Sequence, residues 1–163
     1  MEIPEIKDKE LHRITVTTFI YKPDYSYLIT KRGMHKKVMP GKWAPPGGGL
    51  STDDYSNTST TPSNIIRWPD VLNIALRREV LEEVGLEIGK PEFVSDVAFV
   101  RSDGIPVINL GYFAPYISGE VKLDEDATEF AWVTLEEAKK YDLIPGIWDE
   151  IRQVDEMLKS RNN

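Results

Sequence analysis

The sequence contains no cysteine and only two histidines among its 163 residues. The lack of cysteine excludes a disulfide scaffold, a thiol nucleophile, a cysteine-ligated zinc site and an iron–sulfur cluster. The histidines, His12 and His35, lie far apart in the sequence. They give no argument for a histidine metal site, and we predict that both are surface residues.

Long apolar runs are also missing. No segment approaches the run of about 18 apolar residues that crosses a bilayer. The first ten residues alternate charged and apolar side chains, which is not typical of a signal peptide. We therefore expect a cytoplasmic protein with no membrane partner.

Positive charge is in short supply, with 20 Lys and Arg against 27 Asp and Glu, a net charge of −7. This balance argues against tight, non-specific binding to nucleic acid, which needs a basic surface. Acidic residues can still serve phosphate chemistry when they first bind divalent cations. The distribution of the carboxylates along the chain therefore matters more than their number.

The pattern of apolar residues predicts a mixed α/β fold in one domain over residues 1–163. Strands are predicted at 12–21, 25–31, 92–101, 105–114 and 129–133, and helices at 70–84, 135–141 and 148–158. Thr134 and Glu137 form a capping-box pattern at the start of the second helix. The Pro- and Gly-rich segment 39–50 is expected to be neither a regular helix nor a central strand.

Residues 51–64 are dominated by Ser, Thr and Asn. This composition is typical of a surface loop. A flap that covers a substrate is the alternative, since long loops sometimes have that role.

Three carboxylates gather on the first predicted helix. Because successive helical residues are about 100° apart, Glu79, Glu82 and Glu83 share an arc of roughly 100°. Such like charges destabilise a helix unless a cation lies among them, and Mg²⁺, or Mn²⁺ in its place, suits oxygen ligands. A solvated acidic face is the alternative. The residues predicted to face the sheet lie on the other side: Ile74, Val80, Leu81 and Val84.

The segment around these glutamates resembles a known motif. It reads Arg78-Glu79-Val80, then Glu82-Glu83, then Gly85-Leu86, with one residue between the groups. This is similar to the second half of the Nudix hydrolase box, Gly-x5-Glu-x7-Arg-Glu-U-x-Glu-Glu-x-Gly-U, where U is aliphatic. The flanking runs Lys31-Arg32, Gly41-Lys42-Trp43, Pro46-Gly47-Gly48 and Glu129–Val133 extend the resemblance over about residues 12–160.

The first half of the box departs from the family pattern. Counting forward from Gly48 places the box glutamate at Asp54, whereas counting back from Arg78 places it at Asp70. The Ser/Thr/Asn-rich stretch lies between the two positions, so the resemblance implies a loop inserted within the box at about residues 51–68. We favour Asp70, whose spacing to the intact helix is preserved.

The resemblance implies a Nudix-type α/β/α sandwich with a mixed β-sheet between helices. It also implies hydrolysis of a pyrophosphate bond in a nucleoside diphosphate linked to another moiety. Glu79, Glu82 and Glu83, with the carbonyl of Gly47, would be the metal ligands, and Arg78 would orient a carboxylate. The general base is left open between Glu79 and three acidic residues of a distant segment: Glu125, Asp126 and Glu129.

The resemblance also indicates substrate contacts. Arg32 is a candidate phosphate clamp at a strand end, and Gly47 and Gly48 would line the phosphate site. Trp43 is the candidate for stacking on a base, although it could instead fill the core. The same choice applies to three other aromatic residues: Trp68, Phe99 and Tyr112.

The expected partner is a small-molecule nucleotide, and a homodimer is compatible with the resemblance. Two other functions remain alternatives at this point. One is a Nudix-fold module that binds a nucleotide without cleaving it, and the other is an acidic interaction domain with no ligand.

Overall fold

A computed structural model describes residue 5 and residues 8–60 and 66–161. The strands are Arg13–Tyr21 (β1), Tyr27–Arg32 (β2), Trp43–Ala44 (β3), Gly47–Gly49 (β4), Glu87–Ile88 (β5), Glu92–Val100 (β6), Pro106–Ser118 (β7) and Ala127–Val133 (β8). The helices are Val71–Val84 (α1), Leu135–Ala138 (α2) and Ile147–Ser160 (α3).

The strands form one mixed sheet with β1 near its centre. β1 runs parallel to β7 over its whole length, with Val16 opposite Leu110, and antiparallel to both β2 and β4. On one side β2 pairs with β3 and β8. On the other side β7 pairs with β5 and β6.

Each face of the sheet carries its own core because side chains alternate between the faces along a strand. On one face Val16 and Ile20 of β1 pack against α1. On the other face Phe19 packs in a cluster with residues of α2 and α3. These helix, sheet and helix layers confirm the predicted α/β/α sandwich.

Several predicted boundaries change. Gly47–Gly49 was not expected in a strand but pairs with Thr15–Thr17 of β1, because backbone pairing needs no side chain. β7 continues four residues past its predicted end at 114, and the short strand β5 was not predicted. The capping box of Thr134 and Glu137 is confirmed, although α2 ends at Ala138.

The segment between β4 and α1 is only partly described. A single 3₁₀ turn covers Thr52–Asp54, and the rings of Tyr55 and Trp68 contact each other with centroids 5.3 Å apart. The predicted loop includes residues 61–65, which lie outside the described residues. Within the described chain, none of the helices is long and apolar enough to cross a membrane.

The buried face of α1 differs from the predicted one. Leu81 was expected to face the sheet, but 60% of its surface is exposed. The buried residues are Ala75, Leu76, Val80 and Val84. Relative to Glu79 at 0°, this face spans about −40° to 140°, so it includes the positions of Glu79 and Glu83. The prediction was wrong because it assumed that the carboxylates and the packing face lie on opposite sides.

Candidate active site

Glu83 lies between α1 and the edge of the sheet. Its Oε2 accepts a hydrogen bond from the backbone N–H of Gly47 at 2.8 Å, and its Oε1 accepts one from the hydroxyl of Thr30 at 3.3 Å. Gly85, in the left-handed conformation, ends the helix directly after this turn. Glu83 is therefore fixed by contacts from β2 and β4, two strands far from it in sequence.

The environment of α1 favours the neutral form of two carboxyl groups. Burial raises the pKa of Glu83 to about 7, and the neighbouring charge of Asp124 acts in the same direction. Burial also raises the pKa of Glu79, against the influence of the Arg78 guanidinium. A bound cation would offset the desolvation of these carboxylates.

Arg78 holds the carboxylates of the site in place. Its Nη1 lies 2.9 Å from Oε1 of Glu79 and 2.8 Å from Oε2 of Glu82. Its Nη2 donates to the carbonyl of Gly49 at 3.1 Å. Its Nε donates to Asp54, which is buried beside it. One guanidinium thus connects α1, the strand Gly47–Gly49 (β4, called the glycine strand below) and the 3₁₀ turn.

The position of Asp54 corrects the choice between the two candidate box residues. Asp54 contacts Arg78, and hydrogen bonds from Arg78 are the main cause that lowers its pKa. Asp70 instead precedes α1, where its carboxylate accepts a hydrogen bond from Asn73. The forward count from Gly48 therefore finds the carboxylate that the fold brings to Arg78, and the preference for Asp70 is not supported.

Glycines at the edge of the site allow close approach. A methyl group added at Gly48 would overlap the carboxylate of Glu79. At Gly47, where φ is +154°, it would overlap the carbonyl oxygen of Val16. The lack of a side chain at Gly48 leaves room for Glu79, and the lack of one at Gly47 lets β4 pair closely with β1.

The donor set of α1 fits a hard divalent cation, since it consists of carboxylate oxygens on one helical arc. As arranged here, the described residues contain no group of three or more His, Asp or Glu side chains that could hold a metal ion. In this arrangement Glu79 and Glu82 both pair with Arg78. Metal binding by Glu79, Glu82, Glu83 and Gly47 stays a prediction.

Arg32 lies near the site and Glu129 does not. Arg32 is partly buried, its Nε donates to the carbonyl of Val38 at 2.9 Å, and its charge interacts with that of Glu83. Glu129 pairs with Lys31, with 2.6 Å between Nζ and Oε1. Since Thr30 faces Glu83, its neighbour Lys31 and the partner Glu129 lie on the opposite face of the sheet.

The other acidic candidates are placed differently again. Asp126 binds His35 and Lys36, which lowers its pKa, chiefly through the hydrogen bond from Lys36. Asp124 was not singled out from the sequence, yet its backbone N–H donates to the carbonyl of Glu83 at 3.2 Å. Only the fold reveals Asp124 as the acidic residue of this segment that influences Glu83.

Trp43 does not face the site. It is 8% exposed, belongs to the core cluster beneath α3, and packs edge-on against Tyr141 with centroids 4.8 Å apart. Its prediction as a stacking residue is not supported, because its ring is enclosed by the core. Among the other aromatic candidates, Phe99 is partly exposed, at 39%.

Comparison with known proteins agrees with this geometry. Residues 11–154 match the NUDIX domain family. A relative named nucleoside triphosphatase NudI, from Escherichia coli O139:H28 (strain E24377A / ETEC), is 30% identical over 139 residues, which cover 79% of this chain and 87% of the relative.

Solved structures share the fold. The crystal structure of MutT protein from Methanosarcina mazei Go1 has a TM-score of 0.66 at 25% identity and covers 98% of this chain and 99% of its own. MutT NUDIX hydrolase from Burkholderia pseudomallei has a TM-score of 0.68 at 22% identity and covers 89% of this chain and 99% of its own. The chain therefore belongs to the Nudix family and is a Nudix pyrophosphohydrolase.

Proposed function

We propose that this enzyme hydrolyses a phosphoric anhydride bond of a nucleoside diphosphate linked to another moiety, with a nucleoside triphosphate as the first substrate class to test, and that the reaction depends on Mg²⁺ or Mn²⁺. The observation that carries the proposal is that Glu79 and Glu82 pair with Arg78, while Glu83 on the same helix binds the backbone of Gly47. The triphosphate class is suggested by the function named for the relative in Escherichia coli.

The proposed metal ligands are Glu79, Glu82 and Glu83, with the carbonyl of Gly47. When bound, the cation would neutralise the pyrophosphate oxygens and lower the pKa of the attacking water. Arg78 keeps Glu79 and Glu82 oriented. Arg32, beside Glu83, supplies positive charge for a phosphate oxygen.

The residue that takes the proton of the attacking water must lie within hydrogen-bond reach of it. The position of Glu79 supports this role, since its carboxylate lies over Gly48 on the α1 side of the glycine strand. We therefore assign the base to Glu79 ahead of Glu129, which pairs with Lys31.

A nucleotide-binding module without catalysis is the alternative function. Such a module needs a pocket but no cluster of carboxylates held by an arginine. The joint presence of Glu79, Glu82, Glu83 and Arg78 favours catalysis.

The test is a hydrolysis panel of nucleoside triphosphates and nucleoside diphosphate derivatives with Mg²⁺, with Mn²⁺ and with EDTA. We expect turnover that requires the metal and that falls by at least 100-fold, on the order of one lost electrostatic contact at a reacting phosphate, in Glu82→Gln and Glu83→Gln.

The matched control is Glu136→Gln, since Glu136 is an exposed glutamate on α2 that pairs with Lys139. It should keep full turnover, and all three variants should melt near the wild-type temperature. Full turnover in the Glu82 and Glu83 variants, or turnover that persists in EDTA, would show that the site is wrongly assigned.

A further inference from the structure

One face of the sheet beside the glycine strand has groups that the hydrolysis site does not use. A row of paired residues crosses four strands at this point: Gly47, Thr17, Gly111 and Ser95. Neighbouring strands are about 4.8 Å apart, so this row spans roughly 14 Å. It begins at the glycine that binds Glu83 and ends on the edge strand β6.

This part of the sheet is open on the α3 side. α3 covers the end of the face where Phe19 and Phe113 are buried. Beyond that end, Val97 is 47% exposed and Phe99 is 39% exposed, although both lie on strand β6 of the sheet. Partly exposed apolar side chains on an open sheet face are suitable for contact with the flat ring of a ligand.

The polar groups of this face are held in fixed orientations. The amide oxygen of Asn109 accepts from the hydroxyl of Thr15 at 2.9 Å, and its amide nitrogen donates to the hydroxyl of Thr17 at 3.1 Å. The guanidinium of Arg13 lies against Gly49 on the same face. A cation therefore lies at the end of the face that is nearest the proposed phosphate site.

Glu150 lies at the other end of the row. It belongs to the first turn of α3, and Oε1 accepts a hydrogen bond from the hydroxyl of Ser95. Across the described chain, its Oε2 takes part in no hydrogen bond or ion pair. Gly111 leaves space here, because a methyl group at that position would crowd the Ser95 hydroxyl.

The carboxylate of Glu150 is thus held in one orientation, and its Oε2 can accept a further hydrogen bond. Burial raises its pKa, and the hydrogen bond from Ser95 acts against this. A half-buried carboxylate needs further donors, since an ionised carboxylate only accepts hydrogen bonds. A ligand that brings an N–H group to Oε2 would satisfy it.

We propose that this open face binds the nucleoside of the substrate and that Glu150, positioned by Ser95, accepts a hydrogen bond from an exocyclic amino group of the base. The inference rests on the proposed function, since the phosphates are taken to lie at the α1 glutamates. The base ring lies against Phe99 and Val97, and the selected substrates carry cytosine or adenine in preference to uracil or hypoxanthine. A carbonyl group in place of the amino group would face the carboxylate with like polarity.

The test uses two pairs of nucleoside monophosphates that differ in this one group, CMP with UMP and AMP with IMP. Dissociation constants are measured by calorimetry in Mg²⁺. Monophosphates have no anhydride bond, so binding is measured independently of hydrolysis. We expect the amino member to bind about tenfold more tightly in at least one pair, as a hydrogen bond to a charged group provides.

Substitution then separates a base contact from a structural role. In Glu150→Gln the side-chain amide can donate to a carbonyl, so the preference should disappear or reverse toward UMP or IMP. Ser95→Ala should reduce the preference by a smaller factor. Glu156→Gln, an exposed position on the same helix that pairs with Arg152, should leave it unchanged.

Two results overturn the inference: equal binding of both members of each pair by the wild type, or an equal loss for both members in Glu150→Gln. If Glu150→Gln does not fold, Ser95→Ala and Glu150→Asp give the same comparison. If the wild type shows no metal-dependent hydrolysis but still prefers the amino member of a pair, only the proposed function is overturned. If the wild type hydrolyses its substrate but binds both members of each pair equally, only this inference is overturned.

Discussion

At the scale of single residues, Arg78 and Asp54 connect the elements of the site. Asp54 has 1% of its side chain exposed and accepts hydrogen bonds from Arg78 and from the backbone N–H of Ser51. A carboxylate buried in this way is stabilised only while its partner is present. The pair therefore keeps Arg78 in the position from which it binds the glutamates.

Replacing this carboxylate gives a prediction for stability and its pH dependence. Asp54→Asn weakens charged hydrogen bonds, so at pH 7 it should cost about 2 kcal/mol, or roughly 6 °C in Tm. Because Arg78 lowers the pKa of Asp54, the ionised group contributes stability above the unfolded value of about 3.9, and the contribution is lost as pH falls below it.

Thermal melts of both proteins between pH 3 and pH 8 check this prediction. The difference in Tm should be full at neutral pH and should shrink toward pH 3. Asp53→Asn, the exposed neighbour, is the control and should melt like the wild type. A difference that stays constant down to pH 3 would contradict the assignment.

At the scale of secondary-structure elements, α1 presents one arc to the protein, and that arc holds both apolar and carboxylate side chains. Leu76, Val80 and Val84 pack on the sheet, while Glu83 contacts Thr30 and Gly47 at the sheet edge. The helix is therefore anchored by the same face that carries the site. Leu81 points away from this face.

A pair of substitutions tests the orientation of α1. Leu81→Gln should change the free energy of unfolding by no more than about 0.5 kcal/mol, because the side chain is exposed. Leu76→Ala should cost about 3 kcal/mol, since it leaves a cavity between α1 and the sheet. Urea unfolding of the two variants measures the difference. Equal costs would mean that the helix is rotated from the orientation described here.

At the scale of the whole molecule, the sheet lies between α1, which carries the three glutamates, and the layer formed by α2 and α3. A buried hydrogen bond joins α3 to the sheet, since the hydroxyl of Tyr27 donates to Asp155 at 2.9 Å. Lys159 lies 2.6 Å from the other oxygen of Asp155. These contacts hold α3 against the sheet.

Removing the hydroxyl tests this division of roles. Tyr27→Phe leaves Asp155 with an unmet acceptor, so it should cost about 1.5 kcal/mol, or roughly 4 °C in Tm. Metal-dependent turnover should stay within twofold of the wild type, because the α1 glutamates are untouched and the ion pair of Lys159 with Asp155 and the core contacts of α3 still hold that helix against the sheet. Calorimetry and the hydrolysis assay measure the two effects. A loss of turnover greater than twofold, measured at a temperature where the variant is folded, would show that the two layers are coupled.

The sequence by itself determined the family, the α/β class, the helix with Glu79, Glu82 and Glu83, and Arg78 beside them, since these depend on local spacing and periodicity. Tertiary structure decided which distant groups meet them. Asp54 contacts Arg78 although 24 residues separate them in the sequence, Thr30 and Gly47 bind Glu83, and Trp43 is enclosed in the core. Contacts between remote strands and loops depend on sheet register and packing, which the spacing of residues along the chain does not encode.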